Sequence, residues 1–348
     1  MKKIHILKKI FLLLTAMLII SASCLLTGCN SNNQPETKSA FQFLDLGDGT
    51  CMIGGIDRTV SNDTEIVIPA TSDKGAPVSC IGSKAFENDT SITSVVIPDG
   101  VDSISYDAFA GCTALKTVTL PSSLKTISES AFNGCIALDN LVLPSELFEI
   151  GAKAFYGCTS LTSLVIPQNV AYIEENAFTN CSGLTSISVT EGNERYYSVD
   201  NCLIAKDGIY SSLILGCKTS VIPSDGSVTD IGSYAFTGSS ITTISIPSSV
   251  TYIGSGAFSG CASLASVTIP DTVTSIGYAA FYGCEKLERI DIPGAIESIG
   301  NMAFADCYEL TDVYFDNTKS KWEYISDYPF ENVTCTVHCS DGNIQVEP

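Results

Sequence analysis

The chain has 348 residues, of which 45% are apolar and only 16% charged, a composition that folds and is not that of a disordered chain. Asp and Glu outnumber Lys and Arg 38 to 18, and residues 1–28 hold four of the Lys and no acid. The rest of the chain is therefore strongly acidic, which excludes nucleic acid or an anionic lipid surface as the main partner because their phosphates would be repelled. With only two His, His5 and His338, a histidine metal centre or a Ser-His-Asp triad has almost nothing to be built from.

The first 28 residues read as an export signal. Lys2, Lys3, Lys8 and Lys9 precede an apolar run from Ile10 to Ile20 that only Thr15 interrupts. The run ends in Leu26-Thr27-Gly28-Cys29, which looks like a bacterial lipobox and makes Cys29 the expected lipidation site. Cys24 fits less well, because Ser21 stands three residues before it where Leu26 stands before Cys29. Residues 29–40 are polar and read as a flexible tether. The expected location is outside the cytoplasm, held by lipid at the bacterial membrane or cell surface. No later apolar stretch is long enough to span a bilayer.

From residue 41 to about 340 one motif recurs. Phe86, Phe109, Phe132, Phe155, Phe178, Phe236, Phe258, Phe281 and Phe304, each preceded by Ala, are separated by 23, 23, 23, 23, 58, 22, 23 and 23 residues. An Ile stands five residues before each Phe, and a Val, Leu or Ile eight before. Cys112, Cys135, Cys158, Cys181, Cys261, Cys284 and Cys307 follow at the third position, and Leu at the sixth. Within one unit, Val118 and Leu120 alternate as a short strand, and Pro121 lacks the donor to prolong its ladder. Leu124 and Ile127 lie on a second extended piece, and Ala131 to Cys135 form a compact turn with Phe132 inward. One unit cannot bury its own apolar residues, but stacked units can, so the period predicts a β-rich α/β-type solenoid of about 23-residue coils, with short strands and short helical turns.

The fitted pattern, L-x-x-V-x-IP-x-x-V-x-x-IG-x-x-AF-x-GC, resembles the BspA-type (treponemal-type) bacterial leucine-rich repeat over about residues 41–340. The resemblance implies a right-handed leucine-rich-repeat superhelix. It also implies a role in adhesion to host surface or matrix proteins, or in contact between bacteria. Residues 41–69 resemble the family's N-terminal cap hairpin, with an Asp48-Gly49 turn, and residues 313–340 a worn unit in which Trp322, Ile325 and Phe330 hold the −8, −5 and 0 slots. Residues 341–348 read as a tail. The 58-residue interval reads as a hairpin inserted at residues 190–223, turning at Lys206-Asp207-Gly208.

The seven Cys recur with the period, whereas a nucleophile is a single activated residue and a zinc site needs two close ligand pairs. They are expected as a buried ladder of free thiols. A disulfide is left open for Cys202 with Cys217, which flank the insertion, and the redox state of Cys335 and Cys339 is open too. His338 and Cys339 are neighbours in a strand and face opposite ways, which argues against catalysis. There is no G-x-S-x-G elbow or phosphate loop, so no cofactor, no metal and no enzymatic activity are expected. The alternative is an extracytoplasmic enzyme or enzyme subunit that uses the solenoid as a frame. Outward positions vary and include Tyr156, Tyr172, Tyr252 and Tyr282, which are taken as the candidate binding face for a protein or glycan on a host or neighbouring cell.

Overall fold

The computed structural model describes residues 39–207 and 210–347. The export signal, Cys29, nearly all of the tether, Gly208 in the expected turn and the terminal Pro348 lie outside the described residues. The described residues from Ala40 onward form one compact unit.

Most coils contribute two short parallel strands and a turn. One wall begins with the antiparallel pair Phe41–Asp45 and Cys51–Ile56, then continues in parallel through Val78–Ile81, Ser103–Ile104, Thr126–Ile127, Glu149–Ile150 and Tyr172–Ile173. Its register places Ile104, Ile127, Ile150 and Ile173 side by side, so the repeated Ile becomes a ladder. The other wall carries strands such as Glu65–Val67, Ser94–Val96 and Thr117–Thr119, in which the middle residue is buried. Alternation along these strands sends every second side chain inward. The phenylalanines stack in two runs, Phe86 to Phe178 and Phe236 to Phe330, with ring centroids 4.9–5.8 Å apart.

The helical turns expected around each Phe do not form. The residue two before Phe and the residue two after it both have positive φ, as at Ser130 (57°) and Gly134 (73°) around Phe132. Two left-handed residues four apart interrupt any right-handed helix. The turn instead becomes a third hydrogen-bonded side of the coil. Within each run the N–H of a Phe donates to the carbonyl of the Ala before the next Phe, as from Phe132 to Ala154 at 2.8 Å; at the ends Ala235 accepts from Gly216 instead, and Phe304 donates to Pro329.

The one α-helix among the described residues is Lys319–Ile325, in the worn unit. Trp322 and Ile325 are buried there as the pattern requires, but from a helix capped by the Thr318 side chain. Trp322 packs edge-on against Phe315 at 5.3 Å. Within the stretch read as a tail, Gly342–Val346 pairs antiparallel with Cys335–Cys339 and forms the last strand of its sheet.

The insertion is more than a hairpin. Tyr196–Val199, Cys202–Asp207 and Tyr210–Leu215 form an antiparallel meander whose last strand pairs in parallel with Asp230–Ile231 and so founds a second seven-stranded wall. It stands across the solenoid as a septum. Leu203 and Leu215 belong to the N-terminal core, while Cys202, Ile204 and Leu213 belong to the C-terminal core. The free ends of the preceding ladders are closed by its side chains. The Tyr196 hydroxyl accepts from the Ile173 N–H at 2.9 Å, and Ser198 Oγ from the Val189 N–H at 3.0 Å.

Candidate functional site

The cysteine ladder lies wholly inside. Cys112, Cys135, Cys158, Cys181, Cys261, Cys284 and Cys307 are buried free thiols. Each S–H donates to the carbonyl of the Phe one coil earlier, as from Cys112 to Phe86 at 3.0 Å and from Cys307 to Phe281 at 3.1 Å. Cys202 and Cys217 are separate thiols too, directed at the carbonyls of Val221 and Asn201. Cys335 and Cys339 are likewise free thiols.

Burial pushes Cys112, Cys181 and Cys261 up to about 12, and raises Cys135 and Cys158 well above the ordinary thiol value. A thiol with so little thiolate is a poor nucleophile. The linkage has a definite sign. The unfolded chain ionises these thiols near 9, the folded chain only near 12. Their contribution to stability is therefore complete below the first value, falls as pH rises beyond it, and is gone above the second. The thermal midpoint should drop as pH is raised from 8 towards 11. Replacing Cys112, Cys181 and Cys261 together by Ala should flatten that drop; an unchanged slope would exclude the thiols as its source.

The outer columns of the strand wall are exposed and change character along the chain. Val67, Val96, Val142 and Val165 stand out near the start, and Thr243, Ser245, Ser266 and Thr268 follow. At the C-terminal end, strands Arg289–Ile292, Asp312–Phe315 and Cys335–Cys339 gather a charged aromatic cluster. The Arg289 guanidinium lies 3.9 Å from the Tyr314 ring centre, and the other partner of that ring is His338 at 4.4 Å. His338 Nε2 is 2.7 Å from Asp312 Oδ1, and Arg289 Nη2 is 2.8 Å from Asp291 Oδ1. The hydrogen bond with His338 holds the Asp312 carboxyl below its usual range, helped by that of Thr311. The cluster borders a recess of about 480 Å³ floored by Ile269, Ile292 and Phe315. The sequence reading missed it. Its signal was present in the spacing of Arg289, Tyr314 and His338, one coil apart each, in a chain otherwise poor in Arg and His.

The four tyrosines chosen from sequence do not make one face. Tyr172 and Tyr252 are exposed on the short-strand wall, 50% and 40% accessible. Tyr172 meets Phe148 edge-on at 5.4 Å. Tyr156 and Tyr282 sit on the turn side and are only partly exposed, their hydroxyls already engaged by Asn180 at 2.6 Å and by Asp306. The positions one after and six before Phe lie on different sides of the coil, which a linear count does not reveal. The phenylalanine ladder, from Phe86 to Phe304, is core. Among the described residues no group of three or more His, Cys, Asp or Glu is placed to hold a metal ion, and no helix is long and apolar enough to cross a membrane.

Residues 79–203 and 229–343 match the model of the BspA type leucine rich repeat region, in six copies. A search of the curated proteins returns no match. Among solved structures, a leucine-rich cell surface protein from Faecalibacterium prausnitzii is similar at 28% identity, with a TM-score of 0.55 over 85% of this chain and 98% of that one. The pneumococcal vaccine antigen PcpA shares the fold at 20% identity, with a TM-score of 0.60 over 87% of each chain. So does a leucine-rich repeat protein from Eubacterium ventriosum at 23% identity and a TM-score of 0.53, over 80% of this chain and 71% of that one.

Proposed function

The chain belongs to the BspA-type leucine-rich repeat family of bacterial surface proteins, and from that premise we propose that it is a lipid-anchored adhesin-like scaffold that binds ligands on host or neighbouring cells. The observation that carries this reading is the division of labour within the coil. Inward slots hold the same residue types in unit after unit, while the outer columns differ from strand to strand and end in the Arg289–Tyr314–His338 cluster. A surface built to be recognised varies where it faces the partner and repeats where it packs. Tyr and Arg are also the residue types that dominate binding energy at interfaces.

The acidic chain favours a partner with a basic patch and an association rate that falls with added salt. Cells of a non-adherent bacterium displaying the full chain should gain attachment to epithelial or matrix-coated surfaces. Replacing Arg289 and Tyr314 together by Ala should reduce it. Display that adds no attachment to any such surface refutes the reading.

Anchoring is testable separately. Cys29→Ser should move the protein from the membrane fraction to the soluble exported fraction. Continued membrane retention, with no acyl mass on the mature N-terminus of the parent, would remove lipid as the anchor.

A further inference from the structure

The left-handed position two residues before each core Phe differs between the two halves of the solenoid. In the N-terminal half it is held by Lys84, Asp107, Ser130, Lys153 and Asn176, and the residues just before them include Glu129 and Glu175. Lys84 is 3.5 Å from Asp107 and covers the ring of Tyr106 at 5.7 Å, so the one tyrosine of that stretch is taken by a local partner. In the C-terminal half the same position holds Tyr234, Gly256, Ala279, Met302 and Tyr328, preceded by Ser233, Ser255, Tyr278, Asn301 and Asp327. Of these, Asp327 alone is charged.

This edge is rigid. Tyr234, Gly256, Ala279 and Met302 donate their N–H to Ser255, Tyr278, Asn301 and Tyr328 of the next coil at 2.8–3.0 Å. The Tyr234 ring lies along Gly256, where a Cβ would stand 2.6 Å from it, and the Tyr278 hydroxyl reaches Met302 Sδ at 3.3 Å. Tyr278 is 52% exposed and Tyr328 81%. Tyr234 and Tyr328 keep bulky side chains at φ 61° and 45°, where Gly or Asn would fit without strain. Neither ring is needed for the core, which Phe236 and Phe330 supply. The left-handed φ is common to this slot in every unit, Lys84 and Met302 included, so the fold fixes the backbone and leaves the side chain free to vary; at Tyr328 it carries a fully outward ring, while Tyr234 is half-buried over Gly256.

The three tyrosines belong to alternate coils, whose backbones lie about 10 Å apart at two strand spacings; Tyr278 and Tyr328 are the exposed pair, and Tyr234 is half-buried. We propose that this stripe is a sugar-binding platform whose ligand is a neutral β-1,4-linked glycan lying along the solenoid axis. In such a chain every second sugar presents the same C–H face, and its disaccharide repeat matches two coils. Aromatic faces receive those C–H faces, while exposed Ser233, Asn301 and Asp327 flank them with groups for the sugar hydroxyls. The near absence of charge on the stripe and the acidity of the whole chain disfavour uronate or sulfated polymers. The inference deepens the reading of the solenoid as a surface-binding scaffold, and rests on it.

The test titrates the purified full chain with cellohexaose, chitohexaose and β-1,4-mannohexaose, with α-linked maltohexaose as the control. At least one β-linked hexaose should bind saturably, and maltohexaose should bind more weakly. The corresponding disaccharide, too short to bridge two rings, should bind at least about tenfold more weakly, as should the hexaose to Tyr278→Ala, the loss of about 1.4 kcal/mol that one anchor represents. Tyr278→Phe, which keeps the ring, should retain binding, and the circular dichroism of both variants should match the parent. Failure of all three β-linked hexaoses to bind, or binding that survives joint replacement of Tyr278 and Tyr328 by Ala, overturns the proposal. Attachment to cells that persists while no hexaose binds overturns the glycan platform and leaves the surface-binding reading intact. A protein ligand lost in Tyr278→Ala, with no hexaose bound, also overturns it.

Discussion

Phe155→Ala should cost about 3–5 kcal/mol, the range for truncating a fully buried phenylalanine. Phe155 has no accessible surface and lies between Phe132 and Phe178, each 5.3 Å away with rings nearly parallel. Removing it opens a cavity and breaks both stacked contacts, each worth about 0.5–1.5 kcal/mol beyond area burial. A solenoid couples nearest neighbours, so the damage should be local in extent. Amide exchange should speed up in the coils of Phe132 and Phe178 and stay unchanged around Phe258 and Phe281. Phe148→Ala is the contrast, since Phe148 is 47% exposed. Guanidinium titration followed by circular dichroism measures both variants. A loss under about 1 kcal/mol for Phe155→Ala would mean that the ladder is not a principal source of stability.

Gly216→Val should be as damaging for a different reason. A Cβ at residue 216 would stand 2.0 Å from Phe236 Cε1, and Phe236 is 1% exposed with nowhere to retreat. The N–H of Gly216 donates to the Ala235 carbonyl at 2.8 Å, which fixes the backbone against that ring. Overpacking of this kind costs about 1–3 kcal/mol and more where the neighbours cannot move. Here the strained contact joins the end of the septum to the first Phe of the C-terminal stack. The variant should therefore uncouple the two cores as well as weaken one of them. Calorimetry should resolve two unfolding transitions where the parent shows a single one. Limited proteolysis should cut first in the segment 216–230. A variant with the parent's single transition and midpoint would show that Phe236 can shift aside at little cost.

The repeat was legible because a solenoid turns sequence period directly into spatial neighbourhood. Any slot that recurs every 23 residues stacks on its own copies, so the Phe, Ile and Leu ladders follow from the spacing. The buried free thiols follow from the same logic, since seven copies of one small residue in phase with the core can only line the core.

The turn conformation was not legible in full. Gly134 announced one left-handed residue, but Ser130, Lys153 and Tyr234 carry no sign of the other, because the hydrogen bonds to the next coil impose it. The helix Lys319–Ile325 was hidden for a related reason. Trp322 and Ile325 satisfy the inward slots either as strand or as helix, and the chain after them returns as the antiparallel strand Gly342–Val346, not as a further parallel coil in the same register. The septum was invisible because the alternating residues of its central strand serve two cores at once, which no pattern within one unit encodes.

What the sequence by itself determined is thus what every coil shares: the period, the inward residues and the parallel stacking that buries them. What only the tertiary structure decided is which outward residues meet. Tyr156 and Tyr172 fall on different sides of the coil, while Arg289, Tyr314 and His338 come into contact across three strands. Inward positions are constrained by burial in the same way in every unit. Outward positions are set by coil rotation and strand register, which only the folded chain fixes.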